Sequence, residues 1–120
     1  MEQGFKRFMM CLLLTLSLGV MAQTSSEKPK IHIIYMGGND CPPCVAWRRF
    51  DLPKLEASAA FKSIQFSYVQ KTVRSTVPPS FWLPDEVKPL KDKLDIASGK
   101  MIGSAQVAVV VDGEVYDYFW

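Results

Sequence analysis

Histidine is almost missing from these 120 residues: the chain has one, His32, beside three cysteines. A zinc site needs four ligands, so the scarcity of soft donors rules one out within a single chain. An excess of one charge is also missing. Fourteen basic residues face twelve acidic ones, a formal net charge of +2, which argues against nucleic acid or an anionic membrane surface as a partner. No repeat or low-complexity tract runs through the chain. The longest apolar run, Phe8 to Val20, falls short of the roughly 18–20 residues that cross a bilayer.

That run has the form of an export signal rather than an anchor. Lys6 and Arg7 precede it, Val20-Met21-Ala22 closes it, and polar Gln23-Thr24-Ser25-Ser26 follows without a basic flank. Residues 1–22 are expected to be removed after Ala22, giving a periplasmic or secreted product. Cys11 would leave with them. The mature chain is then one small domain with a net charge of +1, from 12 basic minus 11 acidic residues once Glu2, Lys6 and Arg7 are gone. Its cysteines reduce to one pair, Cys41 and Cys44, in an oxidising compartment.

Residues 23–30 read as a polar tether. Ile31 to Met36 is a β-branched apolar run, expected as a strand buried on both faces. Gly37-Gly38-Asn39-Asp40 ends it, and a helix is expected to start at the cysteines, with Asp40 as its cap and proline in its first turn. The apolar stripe jumps between Phe50 and Leu52, and Pro53 cannot donate one turn back, so a kink or new helical start is expected near Asp51. Ser58 to Phe61 reads as a short turn. A second strand follows over Ile64 to Val69, then a Pro-, Ser- and Thr-rich loop from Lys71 to Leu83. A helix is expected from Pro84 to Ser98 with Gly99 after its end. Asp112-Gly113 joins two strands, Gln106 to Val111 and Glu114 to Phe119, as a hairpin. The order β-α-β-α-β-β implies a parallel pair plus an antiparallel hairpin in one mixed sheet, covered by helices.

A Cys-x-x-Cys pair at a helix start places its first thiol beside unpaired amides and the positive end of the helix dipole, which favours the thiolate. The thiolate can attack a disulfide, and the second cysteine, one turn on, can resolve the product. A purely structural disulfide is the alternative, but so short a loop constrains little of the unfolded chain. His32, mid-strand, reads as a packed core residue rather than a ligand. Trp47 reads as core. Phe81 and Trp82, in the proline-rich loop, read equally as substrate contacts or as packing.

In the strand 31–36, the motif Cys41-Pro42-Pro43-Cys44 and the element order over residues 30–119, the chain resembles the thioredoxin family. The resemblance implies a thioredoxin-like domain over residues 31–120, with Cys41 attacking and Cys44 resolving. It also implies substrate backbone docking at the loop holding Ala105 and Gln106. Three positions depart from the family. Tyr35 stands where a buried acid is common, Asp40 stands where a tryptophan is common, and neither Ala105 nor Gln106 is the proline that family members hold in cis. A trans peptide is expected there, because a cis bond without proline costs about 2.5–4 kcal/mol. No helix follows the hairpin, which leaves one sheet face short of cover.

The resemblance implies an exported thiol–disulfide oxidoreductase, leaning to reduction or general exchange, with no cofactor beyond its cysteines. Its partners would be exported proteins bearing thiols or disulfides, a membrane or periplasmic redox partner, and a dimer mate or other protein over the open sheet face. Pro42 and Pro43 withhold amide donors and Asp40 adds a like charge, so only a modest lowering of the Cys41 pKa is expected. The rival from another class is a redox-inactive binding module or truncated family member. A thiol-based Cu(I) carrier is a third reading, without flanking methionines to support it.

Overall fold

The structure is a computed structural model that describes residues 27–120. The expected signal over residues 1–22, its cleavage point and the start of the tether lie outside the described residues. Residues 27–30 are exposed and carry no regular structure.

Four strands form one sheet in the order β2-β1-β3-β4: β1 is Ile31–Gly37, β2 Gln65–Gln70, β3 Gln106–Val111 and β4 Glu114–Phe119. β1 runs parallel to β2, with Tyr35 opposite Tyr68, and antiparallel to β3, with Tyr35 opposite Val107. The mixed sheet expected from the element order is therefore present, with β1 at its centre. A crossover through helices joins the parallel pair β1 and β2, and a two-residue turn joins β3 to β4, which pair antiparallel. At that turn both Asp112 and Gly113 have positive φ, 49° and 81°, the conformation that a tight hairpin requires and that Asp-Gly adopts readily. Asp112 also ties the hairpin to the chain entering β1. Its carboxylate accepts from the Lys30 amide, and its own amide donates to the Lys30 carbonyl, both at 2.9 Å.

The two faces of the sheet differ. His32, Ile34 and Met36 of β1 point to one face, where Ile34 and Met36 meet Val69, Ala108 and Val110. Val77, Leu83, Val87, Leu90 and Leu94 close this core from above. The last two come from a 3-10 turn over Lys88–Leu90 and from the helix Lys91–Ser98. The helix expected from Pro84 thus begins later. Pro89 supplies no amide to a preceding turn, and the chain tightens into the 3-10 turn before helical bonding is regular. Gly99 closes the helix at φ 60°, the left-handed ending for which glycine carries no side-chain penalty.

On the opposite face, α1 (Pro42–Phe50) and α2 (Leu52–Glu56) cover β1 and β2; the helix Lys91–Ser98 is α3. The break between α1 and α2 falls at Asp51, as the displaced apolar stripe requires. Trp47 stacks on Tyr35 with ring centroids 4.3 Å apart, and Tyr35 in turn stacks on Tyr68 at 5.8 Å. The cover stops there. Val107, Val109 and Val111 of β3 are half-buried and Phe119 is exposed. A shallow groove of about 250 Å³ opens among Ile33, Tyr35, Trp47, Leu55, Phe66, Val107 and Phe119.

Candidate redox site

Cys41 and Cys44 form a disulfide, with an S–S length of 2.07 Å, at the point where β1 hands over to α1. Pro42 and Pro43 fill the first helical positions, where a missing amide leaves no bond unmade. The helix cap is Cys41 itself: its sulfur accepts from the Cys44 amide at 3.3 Å. Asp40 was expected in that role and does not fill it. Its carboxylate turns across to accept from the Val73 amide at 3.1 and 3.3 Å, while Cys41 Sγ takes the first amide that α1 offers beyond its two prolines. In the same geometry a Cys41 thiolate would accept from this amide, and a charged acceptor makes such a bond stronger.

The loop before β3 faces the sulfurs. The Ser104 hydroxyl lies 3.5 Å from Cys44 Sγ, and the Ser104 carbonyl 3.6 Å from Cys41 Sγ. In the disulfide state the hydroxyl is the donor to sulfur. In the dithiol state the Cys41 thiol can donate to the carbonyl, and Cys44 and Ser104 can share a proton either way. The Ser104–Ala105 peptide is cis, which corrects the expectation of a trans bond at this loop.

Ala105 and Gln106 follow Ser104 in the chain, but among the hydrogen bonds to the sulfurs the groups from this loop are those of Ser104. Ala105 is half-buried. The Gln106 side chain is buried and turned inward, where its amide nitrogen donates to the Met101 and Gly103 carbonyls at 3.2 Å each. The Tyr118 hydroxyl donates to the Gln106 carbonyl oxygen. Burial pushes the Tyr118 pKa up to about 12, so the donor keeps its proton. Phe81 and Trp82 stand apart on the 3-10 turn Ser80–Trp82, 77% and 72% exposed. Trp82 forms one wall of a cleft of about 260 Å³ with Gln70, Thr72, Ser75, Pro78 and Pro79.

Two features of the site carry no local signal in the sequence. Arg48 reaches back from α1 to the Gly38 carbonyl at 3.3 Å and the Asn39 side-chain oxygen at 2.8 Å, with its guanidinium over the Tyr68 ring. It therefore braces the loop ahead of the cysteines. Lys71, at the end of β2, is only 1% exposed. Its ammonium donates to the Thr72 carbonyl at 3.2 Å and to the Gly103 carbonyl. Burial lowers its pKa and the Asp40 carboxylate raises it. A lysine in a polar, loop-rich stretch reads as a solvated charge, and no periodicity marks this one as interior.

Tyr35 is the buried residue of β1 six positions before Cys41. A side chain at Gly37 would meet both the Tyr35 ring and the Cys44 β-carbon, so glycine leaves room for the two on either side. Burial raises the Tyr35 pKa above its ordinary value of 10.0, so at neutral pH it is no proton acceptor. His32, at the far end of β1, is a core residue as expected. Its Nε2 donates to Ser67 Oγ at 2.8 Å, and Ser67 donates onward to Glu86 at 2.8 Å.

A small α/β domain carrying this disulfide is compatible with a thioredoxin-like fold. Compared with known proteins, the chain matches no family model, no curated protein and no solved structure.

Proposed function

We propose that this chain is an exported thioredoxin-like thiol–disulfide oxidoreductase working through Cys41 and Cys44. The observation that carries the reading is the disulfide at the mouth of α1, capped by the Cys44 amide and faced by the Ser104 loop. The strand order, with β1 central and parallel to β2, agrees with the resemblance. In the reducing direction the Cys41 thiolate attacks a substrate disulfide, releasing one substrate thiolate and forming a mixed disulfide. Cys44, having lost its proton, attacks Cys41 Sγ and releases the second thiolate. Two electrons pass to the substrate and the Cys41–Cys44 bond re-forms. A dithiol donor of another protein must then reduce it again. Export rests on the basic start, apolar run and Val20-Met21-Ala22 ending. Phe81 and Trp82 would contact protein substrates.

The reduced protein should equilibrate with glutathione disulfide and reduce a protein disulfide, and Cys41→Ser should abolish both. A second reading, an inert binding module, is favoured by one observation: Cys41 is only 4% exposed and Cys44 2%. A Cys41–Cys44 bond that no small dithiol can reduce under native conditions would decide for it.

A further inference from the structure

Lys71 is the one charged residue with a fully buried side chain among the described residues. Moving an ammonium out of water costs several kcal/mol even after relaxation, so such a residue persists only where its bonds are well made. Hydrophobic residues of similar volume usually serve packing as well or better. The lysine's partners are therefore informative, and they belong to the redox site. Its Nζ holds the carbonyl of Gly103, the residue immediately before Ser104. Ser104 supplies the hydroxyl and the carbonyl that meet the sulfurs from across the fold. Gln106 donates to the same Gly103 carbonyl. The lysine backbone is fixed as well. Its amide donates to the Gly37 carbonyl at 2.9 Å, and its own carbonyl lies against Gly38 so closely that a β-carbon there would sit 2.2 Å away. Asp40, which directly precedes Cys41, supplies the counter-charge.

We infer that Lys71 is a positioning residue: its buried ammonium, bonded to Gly103, holds the Ser104 hydroxyl and carbonyl against the two sulfurs and so sets the redox behaviour of the pair. The inference rests on the exchange chemistry proposed above for its redox half, and on geometry alone for its hold on the loop. Cys41 and Lys71 are 30 residues apart in sequence, and Gly103 links them. The ammonium also lies in a medium where charges are weakly screened, so its field favours a thiolate over a thiol in the reduced state.

Two variants separate hold from charge. Lys71→Met removes both, and Lys71→Gln keeps a donor without the charge. Hydrogen exchange of the oxidised full-length protein should show the amides of residues 103–106 opening about tenfold more often in Lys71→Met, the loss expected from one charge-assisted bond. Lys71→Gln should lie between it and the wild type. The glutathione equilibrium constant should shift by about threefold or more in Lys71→Met, towards the disulfide, as a destabilised thiolate requires. Gln106→Leu, which frees the same carbonyl from its second donor, should speed exchange at the same amides and serves if Lys71→Met does not fold. Wild-type exchange at residues 103–106 in both Lys71 variants would overturn the inference. A wild-type protein that never equilibrates with glutathione would defeat the redox reading separately, while the exchange data would still decide the hold.

Discussion

Ser104 Oγ lies 3.5 Å from Cys44 Sγ, across 60 residues of sequence, and is the polar side-chain contact of that buried sulfur. In the proposed exchange Cys44 must lose a proton before it can attack, and Tyr35, with its pKa raised by burial, cannot take it. Ser104→Ala should therefore slow resolution of the mixed disulfide by about tenfold, the size of one hydrogen bond to a charged group. Initial attack by Cys41 should change little. Stopped-flow mixing with a mixed-disulfide probe separates the two steps, and equal slowing of both would argue against a role confined to Cys44.

Gly38 tests the backbone seat of the site. A β-carbon there would lie 2.2 Å from the Lys71 carbonyl oxygen and 2.5 Å from an Asp40 carboxylate oxygen. Backbone cannot yield as a flexible side chain can. Gly38→Ala should cost about 3 kcal/mol by urea unfolding, the upper range of overpacking. Gly113→Ala meets no atom within 4 Å but stands at φ 81°, and should cost only about 1–2 kcal/mol, the conformational penalty alone. A reversal of this order would show that the loop at Gly38 moves freely.

The His32–Ser67–Glu86 chain implies a stability profile with pH. Burial lowers the His32 pKa below its ordinary 6.5 against the pull of Glu86. The unfolded ring therefore binds a proton where the folded ring does not. Stability should be full above about pH 6.5 and fall as pH drops through the window below it. The Glu86 pKa is lowered too, chiefly by backbone and Ser67 hydrogen bonds. Its contribution has the same sign and is lost further down, as pH falls below about 4.5. His32→Val should flatten the upper part of the fall and leave the lower. Urea melts at about pH 8, 6, 5 and 4 read both parts, and an unchanged slope between the first three would contradict the burial cost at His32.

Phe81 and Trp82 distinguish substrate binding from packing. Both are largely exposed, so replacing them should barely change stability. Phe81→Ala with Trp82→Ala should raise KM for a protein disulfide by about tenfold or more, the value of a lost aromatic anchor. Exchange with glutathione, too small to reach the cleft, should stay at the wild-type rate. Equal kinetics on both substrates would assign the pair no part in binding.

Local chemistry in the sequence determined much of the frame. Asp112-Gly113 can occupy two positive-φ positions in succession, so the hairpin follows from two residues. The β-branched run after Lys30 makes a central strand, Pro53 makes the break between α1 and α2, and the spacing of Cys41 and Cys44 permits their bond at a helix start. These are short-range consequences of backbone conformation and side-chain period. The surroundings of the disulfide were decided only in three dimensions. Asp40 looks like a cap until the Val73 amide comes within reach, Lys71 looks solvated until Gly103 arrives from 32 residues away, and Ser104 meets the sulfurs from 60 residues on. The physical reason is that burial and hydrogen-bond partnership depend on which distant segments meet. A lysine, an aspartate or a serine carries no periodic signal that would foretell which neighbour it finds.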